Sequence, residues 1–238
     1  MLRYYVAIGS ETVEGLSYDS DFGLKAISRS NFPALQRKVK SYEIDGVDGT
    51  QYETNGYQDR VFTVNYNFID RNYINNSVRK IRKWLDNLVG KRLSLADDPE
   101  YFYFIKKVDY ENIERIKKRK GKFSVTFTLA PFAYKFSNNQ FIDVENGVSL
   151  YNDGDFESKP LIKVRGNGYV KMWINDFLIG FDVADEVLIN SEKELCIESN
   201  INKNIKQGKY PLLKQEENII RWEGNVVSVS INPNYIYY

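Results

Sequence analysis

Between Ser77 and Leu129 the chain spells one helix and then a run of strands. Val78, Ile81, Trp84, Leu85, Leu88 and Val89 fall within about 140° of arc at about 100° per residue, and Arg79, Lys80, Arg82, Lys83 and Asp86 take the other side. That is an amphipathic helix lying on a core. Asn76 or Ser77 is placed to cap its first turn, and Gly90 to end it in a left-handed conformation. Downstream, Phe123, Val125, Phe127 and Leu129 alternate with Ser124, Thr126 and Thr128, the period of a strand with one buried face. Phe62, Val64, Tyr66 and Phe68 alternate with Thr63, Asn65 and Asn67 in the same way. Residues 91–95, the step Asp97-Asp98-Pro99 and residues 101–108 read as strand, turn, strand, so the helix is expected to cover one face of an antiparallel sheet. Residues 1–45 hold short apolar pieces, 4–8 and 22–27, and read as short strands joined by loops. The Asp45-Gly46 and Asp48-Gly49 steps that follow form a turn signal.

The pattern changes after Ala130-Pro131. Residues 135–155 are rich in Asn, Asp, Ser and Gly and read as a domain connection. From Lys159 a period of two resumes: Pro160, Ile162 and Val164 lead to a Gly166-Asn167-Gly168 turn, and Val170, Met172 and Ile174 lead to Asn175-Asp176. Further short strands are expected at 187–189, 195–197, 219–222 and 226–231, with turn signals every 8 to 12 residues or about that, which describes a small β-sandwich. The expected fold is therefore mainly β, in two domains, 1–136 with the helix and 137–238 with the sandwich.

Composition narrows the chemistry. The 238 residues are 42% hydrophobic and 15% aromatic, ample for a core, and 33 basic against 32 acidic residues leave a net charge of +1, with no global field toward nucleic acid or membrane. No apolar run has signal-peptide or membrane-spanning length, and the chain reads as soluble and made in the cytoplasm. There is no histidine, which removes Ser-His-Asp and Cys-His catalysis and the common zinc sites. Cys196, the single cysteine, has no intrachain partner and reads as a buried strand residue. A glycosidase using two carboxylates is the enzyme class left chemically open.

Four local features invite a functional reading. The double Asp-Gly element resembles a phosphate-cradling loop, but no strand-to-helix context or GK[ST] follows it, and it is expected to be a turn. Asp97 and Asp98 on a proline turn are expected to be turn formers facing solvent rather than a metal or acid-base pair. Tyr101-Phe102-Tyr103-Phe104 could stack bases, but four consecutive aromatics in a strand face both ways; one pair is expected in the core and the other under a neighbouring subunit. Residues 115–122 hold six basic side chains in eight positions, read as a solvated hairpin tip in preference to a phosphate patch.

Taken in order, these features resemble the distal tail protein (Dit) family of phages that infect Gram-positive bacteria. In the N-terminal half the resemblance rests on Gly46 to Gly49, the helix ending Trp84-Leu85, Leu95 with Asp97-Asp98-Pro99, and the strand closing at Ala130-Pro131 with Tyr134. In the C-terminal half it rests on Asn152-Asp153-Gly154-Asp155, Lys159-Pro160-Leu161-Ile162, Gly166-Asn167-Gly168, Tyr210-Pro211-Leu212-Leu213, Glu217-Asn218-Ile219-Ile220, Gly224, and Val229 to Asn232. Asn190-Ser191-Glu192, where the family often has Asp before Ser-Glu, and Glu217 before Asn218, where it often has Gly, are departures that touch turn geometry.

The resemblance implies an N-terminal antiparallel sheet or split barrel with one packed helix, and a C-terminal galectin-like β-sandwich. It implies a hexameric ring at the virion tail tip, with the tail tube protein on one side and a tail-associated hub or fibre protein on the other. No enzyme activity, cofactor, metal, membrane or specific nucleic acid belongs to this expectation, and no catalytic, cofactor-binding or metal-ligating residue is assigned. The alternative is a carbohydrate-binding module contacting the host cell wall, with Trp173 and Trp222 as stacking platforms, although both sit in alternating strands where an aromatic commonly points inward.

Overall fold

A computed structural model describes residues 24–69, 74–95, 98–117 and 119–238, and the chain divides into two compact units, Met1–Ala133 and Tyr134–Tyr238. No helix among the described residues is long and apolar enough to cross a membrane.

The first unit contains strands β1 (Leu24–Arg29), β2 (Arg37–Tyr42), β3 (Gln51–Tyr57), β4 (Arg60–Ile69), β5 (Arg92–Leu95), β6 (Asp98–Tyr110), β7 (Glu114–Lys117) and β8 (Lys120–Leu129), and one helix, α1 (Ile74–Asp86), between β4 and β5. Its sheet runs β1-β4-β8-β6-β5, with β7 also on β8. Every pairing is antiparallel, and β4 meets β8 without a register shift from Arg60↔Leu129 to Ile69↔Lys120. The alternating sequence dictates this ladder: Phe62, Val64, Tyr66 and Phe68 face the same way as Phe123, Val125, Phe127 and Leu129, all are buried, and Tyr66 stacks on Phe123 at 5.6 Å. Ile81, Trp84 and Leu85 of α1, with Leu88 just beyond it, are buried as the helical period requires.

The ends of the helix differ from expectation. Asn76 and Ser77 lie inside α1, and the residues ahead of it are outside the described ones. The helix stops at Asp86 with bonds of 3-10 type, Asn87 N-H to Trp84 C=O and Leu88 N-H to Leu85 C=O. Gly90, at φ +82°, belongs to the next turn, closed by Lys91 N-H on Leu88 C=O, and Val89 is left exposed. A hydrophobic arc read past the last helical residue mistakes a turn for a further face.

β2 and β3 form a two-stranded sheet of their own. Neither strand has an alternating apolar row, and every residue from 37 to 56 is exposed. At the base of this arm, Gln58 N-H donates to Gln36 C=O, and Tyr57 packs edge-on against Phe132 at 5.2 Å.

The second unit starts with the short strand β9 (Tyr134–Lys135) and a 3-10 turn at Phe136–Asn138. It continues with β10 (Ile142–Val144), β11 (Ser149–Asn152), β12 (Leu161–Ile174), β13 (Phe177–Val183), β14 (Glu186–Asn190), β15 (Leu195–Glu198), β16 (Ile201–Lys203), β17 (Gln207–Gly208) and β18 (Glu216–Asn232). Two expectations change here. Residues 135–155 are not a bare connection, because β10 and β11 both pair with β18. Nor does Gly166-Asn167-Gly168 end a strand: β12 runs through it for 14 residues, and β18 likewise joins the two short strands expected at 219–222 and 226–231 into one of 17.

These two long strands pair along nearly their whole length and form a spine. One half of the spine is flanked by β10 and β14, the other by β11 and β13, so the antiparallel sheet curls around a core of Ile162, Val164, Val170, Met172, Ile174, Ile220, Val229 and Ile231. The spine bends where its register slips, between Arg165 and Gly166 and between Asn167 and Lys171. Glycine is required there: a Cβ on Gly166 would strike the Asn225 carbonyl oxygen, and Gly224, at φ +116°, would place one 2.6 Å from the Tyr169 carbonyl oxygen.

Candidate interaction surfaces

Arg60 opens β4 and is 6% exposed. Its Nε donates to the Pro131 carbonyl at 2.7 Å and a terminal nitrogen to the Pro33 carbonyl at 3.0 Å, while its guanidinium lies 5.3 Å from the Phe32 ring centre and 5.4 Å from that of Tyr103. One buried cation thus ties the segment before β2 to the segment after β8, at the base of the arm. Burial holds the guanidinium below its ordinary pKa; the same burial pushes the Tyr103 hydroxyl up, against the pull of Arg60. Sequence reading missed this residue because a lone arginine defaults to the surface.

The same knot decides the aromatic strand. Phe102 and Tyr103 are adjacent and both buried, because residues 99–102 of β6 stand opposite Ser94 alone and alternation fails there. The expectation that a neighbouring subunit covers the second pair is corrected for Tyr103: Phe32 of the same chain lies on it at 4.8 Å. Tyr101 and Phe104 are half-buried, and Phe104 meets Phe102 edge-on at 5.4 Å.

The basic run is the β7–β8 hairpin, with its described residues exposed apart from the buried Gly121 and with Lys122 paired to Glu114 at 2.9 Å. It does not stand alone. Arg115 joins Arg79 and Arg82 from α1 around a hollow of about 340 Å3 that Val78, Ile113 and Asn75 also line. Guanidiniums gathered around one hollow suit carboxylates or phosphates, which arginine grips through two parallel hydrogen bonds.

Asp45-Gly46 and Asp48-Gly49 lie in the loop at the tip of the arm, exposed, with both glycines at positive φ. Asp98 begins β6 opposite Leu95, and Asp97 lies outside the described residues. Cys196 is buried in β15 opposite Ile189, and burial pushes its thiol pKa up.

In the second unit the polar motifs are fasteners. Asn218, fully buried, accepts from Lys214 N-H at 2.8 Å and from the Asn175 amide at 2.9 Å, and donates to the Lys214 carbonyl at 2.9 Å. Asn152 accepts from Gly154 N-H at 2.9 Å and donates to the Phe156 carbonyl at 3.1 Å, and Asp153 accepts from the Tyr237 hydroxyl at 2.9 Å. Buried Glu198 accepts from the Ala184 and Asp185 N-H groups and is paired with Lys203. Side chains whose oxygens and nitrogens are committed in this way close loops.

Trp173 and Trp222 are half-buried and line one hollow of about 420 Å3 with Asn146, Gly147, Arg221 and Glu223. Asn146 grips the Trp222 backbone from both sides, accepting from its N-H at 3.0 Å and donating to its carbonyl at 2.9 Å.

Comparison with known proteins follows the same division. Residues 12–129 match the family described as phage tail protein RIFT-related domain. The chain is similar to the SPP1 Dit protein, described as a paradigm of the hub adsorption apparatus in phages infecting Gram-positive bacteria, with 15% identity over 87% of this chain and 91% of that one and a TM-score of 0.61. It is also similar to a chain of the phage P2 baseplate in its activated conformation with calcium, at 10% identity, 89% and 90% coverage and a TM-score of 0.52. The strontium form of that baseplate gives 10% identity, the same coverage and a TM-score of 0.50. Curated protein sequences give no significant match. Residues 12–129 thus match a phage tail protein domain, within a chain whose fold is similar to that of the SPP1 Dit protein along most of its length.

Proposed function

We propose that this protein is a structural component of a phage tail or baseplate: a hexameric ring at the virion tail tip that joins the tail tube to the hub or fibre that contacts the host. The observation that carries this reading is the coincidence of a phage tail domain at 12–129 with a distal-tail-like fold over 87% of the chain. In this reading the N-terminal unit makes the ring, and the second unit is a galectin-like sandwich. Its partners are further copies of itself, the tail tube protein and the tail-associated hub. It performs no catalysis, in keeping with a chain that has no histidine. Electron microscopy of the purified protein, with mass measured by light scattering, tests the reading: six-membered rings with a central hole are expected, and a monomer at high concentration would overturn it.

A second reading has one observation in its favour, the hollow shared by Trp173, Trp222, Arg221 and Glu223. Indole faces beside charged hydrogen-bonding groups suit a saccharide. Titration of cell-wall saccharides against the full chain and a Trp173→Ala variant tests it; binding that Trp173→Ala does not weaken sinks this site.

A further inference from the structure

An asparagine followed by glycine is prone to lose its side-chain amide, because a glycine nitrogen has no Cβ beside it to screen it and its backbone reaches the conformations from which it attacks. The chain has three such steps, Asn55-Gly56, Asn146-Gly147 and Asn167-Gly168. They stand in three different surroundings.

Asn146-Gly147 is locked. The Asn146 amide accepts from Trp222 N-H at 3.0 Å and donates to the Trp222 carbonyl at 2.9 Å, while Gly147 N-H donates to the Ile220 carbonyl at 2.8 Å. Asn167-Gly168 lies inside β12, with Asn167 paired to Asn225 of β18 and Gly168 to Val183 of β13. Bringing the glycine nitrogen onto the side-chain carbon breaks these hydrogen bonds at the first site and pulls the chain out of its ladders at the second.

Asn55-Gly56 carries no such restraint. Both residues are exposed, and the Asn55 side chain makes no hydrogen bond among the described residues. The register sets the two of them opposite Lys38 alone, between the Arg37–Tyr57 and Val39–Thr54 pairs, so a bulge interrupts the ladder there. Gly56 has φ +72°, with open space where a Cβ would stand. The β2–β3 ladder joins no other sheet, and a lone two-stranded ladder opens readily in water.

We infer that Asn55 is a site of spontaneous deamidation, and that the fold protects the other two asparagines. The Gly56 nitrogen gives its proton to water or hydroxide and forms a bond to Asn55 Cγ; the Cγ–Nδ2 bond breaks, ammonia leaves, and a succinimide ring closes. Water then adds to either ring carbonyl. Opening of the ring gives aspartate, or isoaspartate, in which the main chain runs through the side-chain carbon. Each event places a carboxylate opposite Lys38 and takes the net charge from +1 to zero, with 33 basic against 33 acidic residues. The isoaspartate form also lengthens β3 by one backbone carbon at the bulge. The arm therefore changes its charge and its register as the molecule ages.

The test is a time course of the full chain in mildly alkaline buffer, followed by tryptic digestion and mass spectrometry. Asn55 falls in the peptide 41–60, Asn167 in 166–171 and Asn146 in 136–163, where fragment sequencing assigns the position. A gain of one mass unit is expected at Asn55 at least about tenfold faster than at Asn146 or Asn167, with all three converting at similar rates in urea. Hydroxide dependence slows the change in mildly acidic buffer. Asn55→Gln, whose longer side chain closes the ring poorly, is expected to abolish the more acidic form seen by ion exchange, with circular dichroism unchanged. Conversion of Asn146 or Asn167 as fast as Asn55 in the folded chain overturns the inference, because the fold then does not choose the site. So does an Asn55 that keeps its amide in the folded chain over the time in which it converts in urea.

Discussion

The arm of the first unit and the spine of the second are both long antiparallel pairs of strands, and they have opposite fates. The spine, β12 with β18, has neighbours on both edges and an inward row that reads Ile162, Val164, Val170, Met172, Ile174. The arm, β2 with β3, reads Arg-Lys-Val-Lys-Ser-Tyr against Gln-Tyr-Glu-Thr-Asn-Gly-Tyr and has neither. Backbone hydrogen bonding is common to both, so what separates them is the side-chain row: a ladder becomes core where one face is continuously apolar, and remains a projection where polar residues interrupt both faces.

The contrast is broken most forcefully at the bend of the spine. Gly224→Ala forces a side chain into left-handed backbone against the Tyr169 carbonyl and is expected to cost about 3 kcal/mol, measured by urea unfolding. Arg60→Met, at the root of the arm, leaves two carbonyls without their donor and is expected to cost about 2 kcal/mol, seen as a lower unfolding midpoint. Tyr235→Phe removes the 2.6 Å bond to the Tyr151 carbonyl at about 1 kcal/mol.

Alkali sharpens the point. Burial pushes the Tyr134 and Tyr235 hydroxyls up to about 12. Their raised values mean that the stability they contribute is whole below the ordinary tyrosine value of about 10 and is lost as pH climbs from there through about 12. A pH series of melts should therefore show the second unit weakening over that window, less steeply in Tyr235→Phe. The smallest effect is expected on the arm, where Tyr52→Ser, at a side chain 70% exposed, should move the melting free energy by no more than about 0.5 kcal/mol.

Legibility in the sequence followed the same divide. The strands built on Phe62 to Phe68 and Phe123 to Leu129 and the buried face of α1 were readable because burial on one face imposes a period. The spine was readable as pieces only: Gly166-Asn167-Gly168 has the composition of a turn, and nothing local distinguishes a glycine that reverses the chain from one that lets two strands touch. The arm was half readable. Its tip carries the Asp-Gly signal, but isolation from every sheet is a property of what surrounds a segment. Among the candidate surfaces, the basic hairpin could be seen beforehand, and its meeting with Arg79 and Arg82 could not, since Arg115 is more than thirty positions from either arginine in sequence and lines the same hollow in space. The two tryptophans were named, but which face of the sheet they line depends on register, which a single sequence leaves open.

β18 pairs with β10, β11 and β12, all of which precede it in the chain, and Ile142 finds its partner at Ile231. During synthesis none of the three has its central neighbour until residues 216–232 leave the ribosome, so the buried row of β12 waits in the open while the sheet of the first unit already has all its described strands. Contacts of such long sequence separation make folding slow, on the order of milliseconds to seconds. The second unit is therefore the part that exposes apolar strand to the cell for longest, and a ribosome stall or a nonsense codon before residue 216 would leave a folded first unit carrying an unfinished, aggregation-prone tail.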